Sequence, residues 1–414
     1  MTFCRRFGRQ SSNILSTPRS ATTLTSTPDY LLISLCRLIT ERQPLASVAP
    51  DEWNALAELA LQHGLAPMLY WLAKAQKHAI PEPAASRLVE ITHNAAINYA
   101  LLERARRQVQ IALTEVGIPC LWLKGAALSQ TIYPESGLRS MSDLDVLVPY
   151  ELREAALELA QTLGYEWEHG TSDFFPLADD ELMKFSSSKH HYRLYSGDQP
   201  PVALEIHYRL LGADDDRLLS LESLHWFWQT KQTLTLVDGT QLDHFSPEAQ
   251  LLHLCAHIVL QHPGDDLFLI RYFDLHLLIM RQTLNWQVVL DQAVAFGWTL
   301  PVELALTRTV EFFATPISAE VLRALVERRP AHEDVSLVRV LEGDGSRWEA
   351  WRLYLATLPP RKRLEMIRRV LFPNREYMRQ RYHAKSGIVL YYPYRWLDQS
   401  RIVLTTLWKR LRYR

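Results

Sequence analysis

Residues 121–148 read LWLKGAALSQTIYPESGLRSMSDLDVLV. The stretch parses as a short apolar strand, a small-residue turn, a helix, an irregular loop and a second strand that carries Asp143 and Asp145. Alternate side chains of a strand share a face. The two aspartates therefore point one way, while Leu144, Val146 and Val148 point the other way, into a core. Adjacent carboxylates repel, and each raises the other's proton affinity unless a cation intervenes. A hard divalent cation such as Mg²⁺ accepts oxygen ligands in this arrangement. The pair reads either as a metal seat inside an apolar strand or as a solvated strand end.

Further along, VALEIHYRL (202–210) is a second strand with the same logic. Val202, Leu204, Ile206 and Tyr208 share one face; Glu205, His207 and Arg209 share the other. Glu205 is a charge in the middle of an apolar run. Two aspartates and a glutamate from two strands can hold two Mg²⁺ ions, one for a nucleophile and one for a triphosphate. His207 is open to two roles, general base for an acceptor or structural hydrogen-bonder.

Upstream, Lys124-Gly125-Ala126 joins a strand to a helix. Small residues let a ligand approach the backbone, and a helix N-terminus offers free N–H groups to a phosphate. Lys124 and Arg139 add positive charge. Each can contact phosphate or form a salt bridge with the neighbouring acids.

The succession Lys-Gly-Ala-Ala, Tyr-Pro, GLRSMSDLDVLV and LEIHYRL resembles the uncharacterised bacterial nucleotidyltransferase-like proteins of the DNA polymerase β superfamily. The superfamily pattern is a Gly and a small residue, then Asp-x-Asp on a strand, then a third acid on a later strand. Here those positions are Gly125 and Ala126, Asp143 and Asp145, and Glu205, within a resemblance that covers roughly residues 45 to 300. It implies an α+β fold, with a small mixed sheet as nucleotidyltransferase core, flanked by N- and C-terminal helical regions. It also implies Asp143, Asp145 and Glu205 as catalytic metal ligands for Mg²⁺ or Mn²⁺. Lys124, Gly125, Ala126, Arg139 and His207 become the nucleotide-binding set. The implied reaction moves a nucleoside monophosphate from an NTP to a hydroxyl, phosphate, peptide or protein acceptor. Many members have Ser or Gly where this chain has Ala126, so backbone N–H groups or Lys124 must replace a hydroxyl contact. That departure bears on rate more than on nucleotide binding.

Around this core the pattern is helical. DEWNALAELALQHGL spaces Trp53, Leu56, Leu59 and Ala60 along one face, with Gly64 at the C-terminal end. A longer helix runs through HNAAINYALLERARRQVQIALTEVGI. ELREAALELAQTLGY predicts an amphipathic helix, and HHYRLY predicts a strand joined to VALEIHYRL through SGDQPP. Ser246 caps a helix that begins at Pro247. DDLFLIRYFDLHLLIM is apolar nearly all round and predicts a buried helix, whose Asp274 pairs with a nearby His or Arg such as Arg271. His253 and His257 have the four-residue spacing of a zinc pair. Leu254 stands where that motif needs Glu, so a satisfied packing role is the expectation. His190 and His191 receive no role. The expected divisions are a disordered leader (1–28), a helical region (29–117), the α/β core (118–212), a second helical region (213–330) and a basic, aromatic helical tail (331–414).

The 414 residues carry a formal net charge of -1, which gives no global field toward nucleic acid or membrane. From Arg361 to Arg414, however, 15 Lys or Arg face three acids. Interleaved with Tyr391, Tyr392, Tyr394, Trp396 and Trp408, they suit nucleic acid, an anionic membrane surface, or docking onto the acidic body. Four scattered cysteines without a C-x-x-C pair argue against a zinc knuckle or a disulfide framework and fit a reducing cytoplasm. No stretch reaches the roughly 20 apolar residues that a transmembrane helix needs. Residues 1–28 contain no acid and are rich in Ser, Thr and Arg, which suits a transit-like leader or a disordered tail. Besides the enzyme, a catalytically weak or inactive binding or regulatory module on the same fold fits, as does a terminal nucleotide-adding protein, which the acidic body disfavours.

Overall fold

The computed structural model describes residues 29–167, 191–211, 219–261 and 268–331, with Glu333 and scattered positions between 360 and 397. The leader, His190, Trp408 and most of the tail lie outside the described residues. Among them, no helix is long and apolar enough to cross a membrane.

The fold is α+β. Helices α1 (Asp29–Ile39), α2 (Trp53–Gln62) and α3 (Ala66–Ala75) come first, then the long α4 (Ala84–Glu115). In α2, Trp53, Leu56, Leu59 and Ala60 are all buried, as their spacing predicts. Gly64 takes the left-handed conformation (φ 73°) just beyond it, where a Cβ would be strained.

A five-stranded sheet follows. β1 (Leu121–Trp122) leads through α5 (Lys124–Thr131) to β2 (Asp143–Leu147). Then come α6 (Arg153–Thr162), β3 (Tyr165–Trp167), β4 (His191–Ser196) and β5 (Ala203–His207). The strand order is β1-β2-β5-β4-β3, with β2 and β5 parallel and the other pairs antiparallel.

Both faces of the sheet are used, for opposite purposes. Leu144, Val146, Val148, Leu204, Ile206 and Tyr208 join Leu102, Val109 and Leu113 of α4 and Ala156 and Leu157 of α6 in one apolar cluster. Burying a side chain of this size stabilises by about 1.5–3 kcal/mol. The alternate positions of the same two strands are Asp143, Asp145, Glu205 and His207. The apolar cluster is what forces them onto the opposite face.

The chain continues with α7 (Leu221–Gln229), a hairpin of β6 (Gln232–Thr235) and β7 (Gln241–His244), α8 (Pro247–Ala256), α9 (Leu269–Arg281), α10 (Trp286–Phe296), α11 (Thr299–Phe313) and α12 (Ala319–Glu327). Ser246 caps α8 by accepting from the Ala249 N–H. The apolar α9 is buried, and most of these helices share a second, larger core with α1, α2 and α3.

Two features differ from the expected divisions. The region 213–330 is not wholly helical, because β6 and β7 pair there and Leu242 of β7 enters the cluster under the sheet. The helical region 29–117 is also not separate from the core. Ala84 and Leu88 of α4 belong to the larger core, while Leu102 to Leu113 pack under the sheet. At about 1.5 Å per residue, one 32-residue helix is long enough to serve both.

Candidate active site

β2 and β5 run parallel with Asp145 directly beside Glu205 and Asp143 beside Ala203. Neighbouring strands lie about 4.8 Å apart, so Asp145 and Glu205 present adjacent carboxylates on one face, with Asp143 two residues along. Two cations bind this patch. Lys124 Nζ lies 2.6 Å from Asp145 Oδ1 and 4.0 Å from Glu205 Oε2. His207 Nε2 lies 2.9 Å from Asp145 Oδ1 and 3.4 Å from Glu205 Oε2. Of the two roles open to Lys124, the salt bridge is the one formed here. His207 is fully buried and hydrogen-bonded to Asp145, which orients that carboxylate.

The charges divide unevenly. Burial pushes the Asp145 carboxyl up, but Lys124 and the His207 hydrogen bond outweigh it and hold it below the ordinary value. Burial also works against Glu205, whose hydrogen bond with His207 and nearby cations hold it well below the ordinary value. Asp143 has no such hydrogen bond or ion pair among the described residues. Burial and the charges of Asp145 and Glu205 push it up to about 6. The patch is thus short of positive charge at the Asp143 end, and carboxylate oxygens are the donor type that a hard divalent cation takes.

Lys124 opens α5 with φ 42°, a left-handed backbone that costs a non-glycine residue about 1 kcal/mol or more. The ion pair with Asp145 accompanies that strain. Gly125 follows, and its smallness has a structural reason in the fold. A Cβ there would meet Arg139 Nη1 at 2.5 Å and Met141 Sδ at 2.6 Å. The absent side chain makes room for this chain's own loop. Ala126 is buried in the cluster under the sheet, so its methyl group packs inward and only its backbone is left to face a ligand.

Arg139 is committed elsewhere. Its Nε and Nη2 chelate Asp274 of α9 at 3.0 and 2.7 Å, and the Tyr133 hydroxyl donates to the same carboxylate at 2.7 Å. Asp274 therefore pairs with Arg139 and Tyr133, not with Arg271. Sequence distance misled here, because Arg271 is close along α9 whereas Arg139 is close in space. Arg139 Nη1, beside Gly125, is the guanidinium nitrogen that does not engage Asp274.

Two contributors went unread in the sequence. β4 pairs antiparallel with β5 so that Arg193 lies opposite Glu205 and His191 opposite His207. Arg193 Nη1 is 3.5 Å and His191 Nε2 is 3.7 Å from Glu205 Oε1. The signal was the alternation in HYRLYS, which puts His191 and Arg193 on one face once the hairpin register is known. His253 of α8 is the other correction. It is buried, yet neither ring nitrogen has a hydrogen-bond partner among the described residues, so its packing role is not a satisfied one. Burial, with the positive charge of Lys124 and His207, pushes its pKa down to about 3, so it stays neutral.

No curated protein matches the chain. The crystal structure of an antigenic nucleotidyltransferase-like protein from Paracoccidioides brasiliensis is similar at 16% identity and a TM-score of 0.32, over 55% of this chain and 92% of that one. A family model described as uncharacterised nucleotidyltransferase matches residues 49–314.

Proposed function

We propose that this chain, which belongs to the uncharacterised nucleotidyltransferase family, is a Mg²⁺- or Mn²⁺-dependent enzyme that moves a nucleoside monophosphate from an NTP to an acceptor hydroxyl, phosphate, peptide or protein. The observation that carries the reading is the parallel register that sets Asp145 beside Glu205, with Asp143 on the same face. Asp143, Asp145 and Glu205 would hold the cation, which when bound supplies Lewis-acid polarisation of the transferred phosphoryl group.

The chain's own groups do the rest. The N–H groups that open α5, at Gly125 and Ala126, point out of a helix N-terminus and donate to phosphate oxygens. The Lys124 ammonium lies at the same helix end and balances phosphate charge. Arg139 Nη1 adds a further donor, held in place by the Asp274 chelate. His207 positions Asp145 by its hydrogen bond. The buried thiols Cys36, Cys120 and Cys255 favour a reducing compartment, and we assign the protein to the cytoplasm.

The test is turnover. Purified protein with Mg²⁺ and labelled NTPs should release pyrophosphate and label an acceptor. The double variant Asp143→Ala, Asp145→Ala should lose this activity entirely, and unchanged turnover in that variant rejects the assignment.

One observation favours a second reading, a catalytically inactive binding module. Lys124 Nζ already sits against Asp145 and near Glu205, in the way a bound cation would. Calorimetric titration separates the two. NTP binding that needs no Mg²⁺ and yields no product supports the module, whereas Mg²⁺-dependent binding with product supports the enzyme.

A further inference from the structure

The third carboxylate has a nitrogen-rich side. His191, Glu205 and His207 each offer one ligand atom, and these atoms all lie within 4.8 Å of one another. The two imidazoles address different oxygens of one carboxylate. His191 Nε2 is 3.7 Å from Oε1, and His207 Nε2 is 3.4 Å from Oε2. Their ring centres are 4.9 Å apart, with planes inclined by 38°. Neither histidine arrives by chance of a flexible loop. Both sit on paired strands, directly across from each other in register.

From this we propose that His191, Glu205 and His207 form a site for a nitrogen-preferring divalent transition metal, of the class of Zn²⁺ or Co²⁺, distinct in donor set from the all-oxygen set of Asp143, Asp145 and Glu205 proposed above. The reason is ligand chemistry. Imidazole suits Zn²⁺ and its first-row neighbours, whereas Mg²⁺ favours oxygen and gives up water reluctantly. Metal–ligand bonds near 2.0–2.2 Å place neighbouring donors about 3–3.6 Å apart. The observed separations reach up to 4.8 Å, so binding draws these side chains together. Three protein ligands leave positions open for water or substrate, the pattern of a catalytic rather than a structural site.

Its competitors are also defined. Arg193 Nη1 at 3.5 Å and Lys124 Nζ at 4.0 Å now neutralise Glu205, and Asp145 accepts from the same His207 nitrogen at 2.9 Å. An arriving ion takes over the role of the two cations at Glu205; His207 Nε2 gives up its proton to solvent and its hydrogen bond to Asp145, which keeps Lys124 at 2.6 Å. The proposal does not require nucleotide transfer, since the donor set stands whether or not the protein is an enzyme.

The test is direct binding without nucleotide. Full-length protein stripped with chelator is titrated with Co²⁺, and the visible d–d absorption of the protein-bound ion is followed. A spectrum of nitrogen-ligated Co²⁺ should appear, be displaced by Zn²⁺ and persist in excess Mg²⁺. His191→Ala should weaken Co²⁺ binding by about tenfold or more. His207→Ala should do the same, with circular dichroism checking that the buried position still folds. The partly exposed His191 keeps the test decisive if His207→Ala does not fold. Asp143→Asn should retain the spectrum. Displacement by Mg²⁺ at similar concentration, or a spectrum lost in Asp143→Asn and kept in His191→Ala, places the ion among oxygen donors and overturns the proposal.

Discussion

At the scale of single residues, the site is a set of carboxylates with unequal partners. Asp145 has Lys124 and His207; Glu205 has His207 and Arg193; Asp143 has no ion pair among the described residues. Its pKa of about 6 is the physical mark of that inequality. The consequence for stability has a definite sign. A carboxyl whose folded pKa lies above its unfolded value of about 3.9 holds its proton more tightly when folded. It therefore costs stability as pH rises through the interval from about 4 to about 6, and the full cost is present at pH 7. Asp143→Asn should raise the stability of the metal-free protein at pH 7 by about 3 kcal/mol, and the gain should largely vanish near pH 4. Urea unfolding at the two pH values checks this. An Asn variant that is less stable at pH 7 would mean that Asp143 has a counter-ion after all. A bound divalent cation would remove this cost.

At the scale of elements, one short helix and one loop are interlocked. α5 begins at a strained Lys124, and Gly125 beneath it touches the loop that carries Arg139 and Met141. That loop is tied down further along, since Asn98 of α4 donates to the Met141 carbonyl at 2.6 Å. Arg139 looks like a flexible side chain able to yield, but its chelate with Asp274 prevents this. Gly125→Ala should then destabilise by about 1–3 kcal/mol, as overpacking does, and also shift Arg139. The expected result is a lower urea midpoint together with weaker NTP binding in a calorimetric titration. Normal values for both would show that the loop gives way freely. Elements also mark the limit of pattern reading. β4 and β5 were legible from their alternation. The hairpin in TLTLVDGTQL was equally available, with Asp238 and Gly239 (φ 83°) at its turn, but its strands are exposed on one face and carry few apolar residues.

At the scale of the whole molecule, the acid face of the sheet is joined to the helical body by a buried ion pair. Asp274 on α9 gathers Arg139 and Tyr133 from the loop segments between α5 and β2. A buried pair need not be a net source of stability, yet removing one partner leaves a desolvated charge. Asp274→Ala should therefore cost about 3–5 kcal/mol. Replacing both partners with apolar residues, Asp274→Leu with Arg139→Met, should recover much of that loss, though without the Arg139 donor beside Gly125. Chemical denaturation of the two variants measures the difference. Equal stability of the single variant and the parent would show that the junction is held by the surrounding apolar core alone. The same scale explains why residues from distant parts of the chain meet. α4 reaches from the larger core to the underside of the sheet, and α9 reaches back to the loop before β2.

The sequence by itself determined the acid-bearing strands. Alternation in DLDVLV and VALEIHYRL decides which side chains share a face, because the pleat has a period of two whatever the rest of the chain does. It likewise determined helix faces and caps, at Trp53 to Ala60 and at Ser246, since these depend on contacts within one turn or two. Only the tertiary structure decided that β2 and β5 are neighbours in a register that sets Asp145 beside Glu205, and that β4 brings His191 and Arg193 to the same carboxylate. Only it turned Arg139 toward Asp274 and gave Gly125 a loop to accommodate. Strand pairing and buried ion pairs are chosen by long-range packing, in which partners more than a hundred residues apart compete on equal terms with those nearby, and no local period records which of them wins.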